Sequence, residues 1–220
     1  MHLEGDVFFE IELYFRLDDV IKLCKTKNLN GDEMSLLEKC KKENIHTRNI
    51  KISTFESSQG GIIVEGELID DRLKSGYSPT GEERPPQIVH HMKIRMLLDG
   101  QPLSIKEIEA EMPGIPHKEC GETRKSLDRI KGMSIVTGFT MRIKDILGGV
   151  NGCAHLTSLL ISMAPAAIQG YWAHYSRKPV DKDLSSDLMG QFLADTCWVW
   201  RKEGSLFKKL INTVKENRQS

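Results

Sequence analysis

The chain has 220 residues, in which 31 Lys and Arg balance 31 Asp and Glu, with 39% hydrophobic and 28% charged residues. Such a composition fits a soluble globular protein, and a pI near 7.0 argues against a nucleic-acid backbone or an anionic membrane surface as partner. The N-terminus carries Glu4, Asp6, Glu10 and Glu12 where a secretory signal would be basic, so a cytoplasmic protein is expected. Its five loosely spaced cysteines (Cys24, Cys40, Cys120, Cys153, Cys197) are then expected as thiols and not as a disulfide framework.

In chain order, Phe9, Ile11, Leu13, Phe15 and Leu17 alternate with polar residues, the period of a half-buried strand. Short helices are predicted over Val20 to Lys25 and about Glu33 to Lys42. Thr47 to Phe55 and Gly61 to Ile69 read as a hairpin around Ser57-Ser58-Gln59-Gly60. Asp70 to Pro86 is rich in Gly, Pro and charge and reads as a loop, which puts Asp70 and Asp71 in a turn without a catalytic role. Ile88 to Leu98 reads as a strand with His90, Met92, Ile94 and Met96 on the apolar face and His91, Lys93 and Arg95 on the other.

Ser104 with Glu107 resembles a capping box, which predicts a helix ending before Pro113 with Glu107, Glu109 and Glu111 as solvated residues. A further helix runs from near Cys120 to about Ile130, and a segment from Thr137 to Leu147 leads into Gly148-Gly149-Val150-Asn151-Gly152-Cys153-Ala154-His155-Leu156. Ile146 to Ser176 lacks Asp, Glu, Lys and Arg, but its Asn, His, Ser, Thr and Gln content with Pro165 fits a buried helix and not a membrane span. Helices over Leu184 to Asp195 and Ser205 to Asn217 complete the reading. The sum is an α+β protein: residues 1–45 form an extension, and residues 46–220 form one domain whose antiparallel sheet from the N-terminal half packs on helices from the C-terminal half.

Glycines before a thiol at a helix start permit a tight turn, and the free N–H groups of the first helical turn favour a thiolate or an anion. Cys153 is therefore the leading functional cysteine. His155 lies about 200° further round a helix, which within a regular helix argues against a nucleophile–base pair with Cys153, while a metal could collect both if Cys153 precedes the helix proper. Cys120, Cys153 and Cys197 each sit at an element end, and with His155 or His90 they make a soft donor set suited to zinc or an iron–sulfur cluster, although their spacings of 33 and 44 residues match no compact knuckle. His90, on an apolar strand face, needs partners for both ring nitrogens.

The segments Gly66-Glu67-Leu68-Ile69-Asp70-Asp71-Arg72 and Ile88-Val89-His90-His91-Met92, with Cys120, the glycine–Cys–x–His–Leu element, Gln169 and Asp195-Thr196-Cys197, resemble a bacterial family known as domain of unknown function 2889 over about residues 46–210. That resemblance implies no established activity. The architecture also resembles that of iron–sulfur scaffold proteins, which gather three separated cysteines behind a sheet. Three functions are expected in descending order. The first is an accessory protein with a metal site at Cys120, Cys153, His155, Cys197 and His90, acting with a protein partner. The second is a metal-free module for an apolar small molecule or acyl group, and the third is a thiol enzyme using Cys153.

Overall fold

The computed structural model describes residues 35–177 and 193–219. The chain divides into two compact units, residues 1–44 and 45–220. The strand expected at Phe9 to Leu17, the helix at Val20 to Lys25 and nearly all of that at Leu184 to Asp195 lie outside the described residues. In the first unit, α1 (Leu36–Cys40) begins at Ser35, whose hydroxyl accepts the Glu38 N–H at 3.3 Å. Cys40 is disulfide-bonded, which corrects the expectation that every cysteine is a thiol. An odd count without tight spacing argues against a framework of disulfides but leaves a single pairing open.

The second unit is built on a four-stranded antiparallel sheet ordered β1 (His46–Glu56), β2 (Ile62–Arg72), β5 (Gln87–Asp99) and β6 (Ser104–Gly114). The β1–β2 turn uses Gly60 and Gly61 at φ +93° and +70°, a region that costs glycine little and other residues much. The long loop expected after Ile69 begins later than the sequence suggested. β2 runs on to Arg72, and a small hairpin of β3 (Gly76–Tyr77) and β4 (Glu83–Arg84) follows it. A register shift between Asp70 and Asp71 bulges the β2–β5 pairing at that end of the sheet.

The helix expected at Ser104 is instead the edge strand β6. Ile105 and Ile108 are buried, and from Glu107 onward the acidic residues alternate with Ile108, Ala110 and Met112. Pairing with β5 overrides the local capping signal, and Glu109 and Glu111 find Arg95 across the strand at 3.1 and 2.6 Å.

One face of the sheet is core: Ile62, Val64 and Leu68 of β2 and Met92, Ile94, Met96 and Leu98 of β5 are buried with nothing polar among them. Covering it are a 3₁₀ segment (Lys118–Ile130), α2 (Phe139–Leu147) and α3 (Ala154–Tyr175), with α3 lying across β2, β1 and β5. The helix approaches closely because Gly66 of β2 leaves room for Leu159 and Met163, and Gly170 of α3 lies against Thr54 of β1. The uncharged stretch noted in the sequence is this inner helix, with Leu156, Leu159, Leu160, Met163, Ala167 and Tyr171 buried. Among the described residues no helix is long and apolar enough to cross a membrane. α4 (Ser205–Gln219) is the predicted C-terminal helix.

Candidate functional site

Four strand residues and the start of α3 meet at one end of the buried sheet face. Strand register sets the first part: Arg48 of β1 and His90 of β5 flank Asp70 of β2 as direct cross-strand partners. All three continue the inward-pointing phase of their strands. Asp70 is only 3% exposed, and Arg48 grips it with a two-pronged fork, Nε to Oδ1 at 2.6 Å and Nη2 to Oδ2 at 2.7 Å. His90 Nδ1 stands 3.2 Å from Oδ2, and His46 Nε2 approaches Oδ1 at 3.6 Å from a half-exposed position at the rim.

The helix supplies the rest. Gly149 turns at φ +57°, and the chain then enters α3 with Cys153 at the N-cap in extended conformation (φ −104°, ψ 126°). The loop is held to its neighbours by three hydrogen bonds. Arg129 donates to the carbonyl of Asn151, Thr157 Oγ1 donates to that of Leu147 at 3.1 Å, and Thr157 N–H closes on Cys153 O at 2.9 Å. Because Cys153 precedes the helix proper, the 200° objection to its pairing with His155 does not apply. His155 Nδ1 lies 3.9 Å from Cys153 Sγ, its Nε2 lies 3.5 Å from Asp70 Oδ2, and its ring stacks on His90 with centroids 3.6 Å apart.

The electrostatics follow from these contacts. The Arg48 fork holds the Asp70 carboxyl below its ordinary value, outweighing the burial that pushes it up. Burial pushes the His155 imidazole down, with the neighbouring His90 acting the same way and Asp70 opposing. A neutral imidazole with its N–H toward Asp70 presents the lone pair of Nδ1 to the thiol.

Of the residues singled out from sequence, the fold brings His90, His155 and Cys153 into one neighbourhood. Among the described residues, Cys120, in the first turn of the 3₁₀ segment, and exposed Cys197 belong to no group of three or more donor side chains converging within 4.8 Å. Among the described residues the group whose donor atoms converge in this way, as a metal ion would need, is Asp70, His90 and His155. Sequence reasoning missed Asp70 and Arg48, assigning the first to a turn. Phase carried the signal: Asp70 continues the series Ile62, Val64, Gly66, Leu68, and Arg48 continues Ile50 and Ile52.

No curated protein and no solved structure matches the chain. Residues 46–169, from the first residue of β1 into α3, match the family described as Protein of unknown function (DUF2889). This span contains Arg48, Asp70, His90, Cys153 and His155, and the chain belongs to that family.

Proposed function

We propose that the protein is a thiol-dependent enzyme acting on an activated carboxyl group such as a thioester or ester, with Cys153 as nucleophile, His155 as base and Asp70 as the group that orients His155. One observation carries the reading: the two ring nitrogens of His155 face a thiol on one side and a buried carboxylate on the other. Both distances are longer than a formed proton-transfer pair, as is common before substrate draws such groups together. In the reaction the S–H proton passes to Nδ1 of His155 while sulfur bonds to the carbonyl carbon, whose oxygen takes the displaced electron pair. The first-turn N–H groups of α3, which have no acceptor within the helix, would receive that oxyanion. Collapse of the adduct expels the leaving group, which takes the proton from His155. Water attacks the resulting thioester by the same route.

The test is a panel of activated esters and acyl thioesters, read both as turnover and as an acyl adduct by intact-mass spectrometry. The expected result is an adduct mapped to Cys153, absent in Cys153→Ser, with turnover about 10²-fold lower in His155→Gln. Equal labelling of Cys120, Cys153 and Cys197 by iodoacetamide, together with no adduct from any panel member, overturns the proposal.

A further inference from the structure

We infer that Asp70, His90 and His155 form a binding site for one divalent transition-metal ion of the zinc, cobalt or nickel type. The inference shares Asp70 and His155 with the thiol reading but stands on donor geometry alone, and the two are alternative states of the site: an ion on Nε2 of His155 leaves the ring proton on Nδ1, which then cannot accept from Cys153. An ion bound at 2.0–2.1 Å by two donors in a tetrahedral or octahedral shell holds those donors about 2.9–3.4 Å apart. Asp70 Oδ2 already lies 3.2 Å from His90 Nδ1 and 3.5 Å from His155 Nε2, and all three donor atoms fall within 4.8 Å of one another. The carboxylate oxygen therefore stands within about 0.1 Å of the spacing an ion requires from each nitrogen, and the two imidazole rings beside it are stacked at 26° to one another.

The surroundings choose the metal. Arg48 fixes the carboxylate through both of its oxygens, the proposed donor Oδ2 included, as a second-layer partner does. Its positive charge also offsets that of Asp70, so an ion that binds through charge and oxygen alone gains little here. Two imidazoles and one carboxylate oxygen favour ions with affinity for nitrogen over magnesium or calcium. Cys153 meets His155 at the opposite ring nitrogen, outside the donor set. Its sulfur is thus a neighbour of the metal ligand and not a ligand. The remaining coordination positions are left for water or substrate.

The experiment uses the full chain, dialysed against chelator and titrated with Co²⁺ and Zn²⁺ by calorimetry, with the Co²⁺ visible spectrum recorded beside it. The expected result is one ion per chain, no heat with Mg²⁺, and affinity at least about tenfold weaker in His90→Gln and His155→Gln, each checked for native circular dichroism. Cys153→Ser is expected to leave the affinity unchanged, and the wild-type spectrum to lack a thiolate-to-cobalt charge-transfer band. No binding by the folded wild type, binding indifferent to both histidine substitutions, or a charge-transfer band that disappears in Cys153→Ser overturns the inference. The Cys153 acyl adduct, measured separately, reports on the thiol reading, so either proposal can fail without the other.

Discussion

Replacing Gly170 by alanine sets two effects of opposite sign against each other. Alanine is the better helix former by about 1 kcal/mol, so propensity alone predicts a more stable protein. The new methyl, however, would stand 2.7 Å from Cβ and 2.6 Å from Cγ2 of Thr54 on β1, with Oγ1 closer still. Carbon atoms pack at about 3.5–4.0 Å, so the overlap at Cβ alone is about 1 Å. Rotating Thr54 about χ1 moves its γ atoms but not Cβ, and α3 must therefore lift from the sheet it covers. Overpacking of this kind costs about 1–3 kcal/mol and sometimes more, and an overlap that no rotamer relieves belongs at the upper end. The expected balance is a loss of about 2 kcal/mol. For a domain of this size that lowers Tm by about 4–8 °C, measurable by circular dichroism of thermal and urea unfolding. Thr54→Ala in the same background removes the two γ atoms and is expected to recover part of the loss, giving a coupling free energy of about 1 kcal/mol in a double-mutant cycle. An unchanged or higher Tm for Gly170→Ala would refute the reasoning, because propensity would then have won and α3 would not bear on β1 through this glycine.

Three further outcomes are expected. Burial pushes the Tyr171 phenol up to about 12, so it contributes stability that is complete below the unfolded value of about 10 and is lost as pH rises between the two; urea denaturation of Tyr171→Phe across that interval should show a flatter decline than wild type, and an identical decline would count against it. Arg48→Met leaves the 3%-exposed Asp70 carboxylate without its fork and should cost about 2–3 kcal/mol in urea denaturation, with much of the loss recovered in Arg48→Met/Asp70→Asn. Gly152→Ala brings a methyl to 2.6 Å from the Leu147 carbonyl oxygen and 3.1 Å from Ser126 Oγ, which should shift the loop ahead of Cys153 and slow its alkylation severalfold; a rate equal to wild type would show that the loop yields without moving the thiol.

The sheet and its covering helices were legible because hydrophobic period reports burial directly. The β1–β2 hairpin, the inward face of β5 and the uncharged helix α3 all lie where the alternation or its absence put them. β6 was misread for a specific reason. Ser104 and Glu107 satisfy the local chemistry of a helix start, but Ser104 Oγ lies 2.9 Å from the Pro102 carbonyl and 2.9 Å from Ser134 Oγ, and the backbone of Ile105 bonds to Met133 and Gly132. Ser134, Met133 and Gly132 are about 30 residues away in sequence, where no local rule reaches them.

The site was half legible, and the missing half has the same origin as the success of the strand reading. His90 was singled out because a histidine in an apolar phase demands a partner, and Cys153 because glycines precede it at a helix start. The partner of His90 lies on the neighbouring strand in the same phase. Asp70 follows Leu68 at the alternating interval, and Arg48 precedes Ile50 in the same way. A run of Gly, Pro and charge beginning at Asp70 masked this, since composition averaged over Asp70 to Pro86 describes a loop and conceals that its first residues belong to the core-facing series. Extending the alternation until it meets a charge, and not stopping at the charge, places Arg48, Asp70 and His90 at the same end of three adjacent strands. There the buried apolar surface runs out into groups that can be buried only together, and α3 brings His155 and Cys153 onto them.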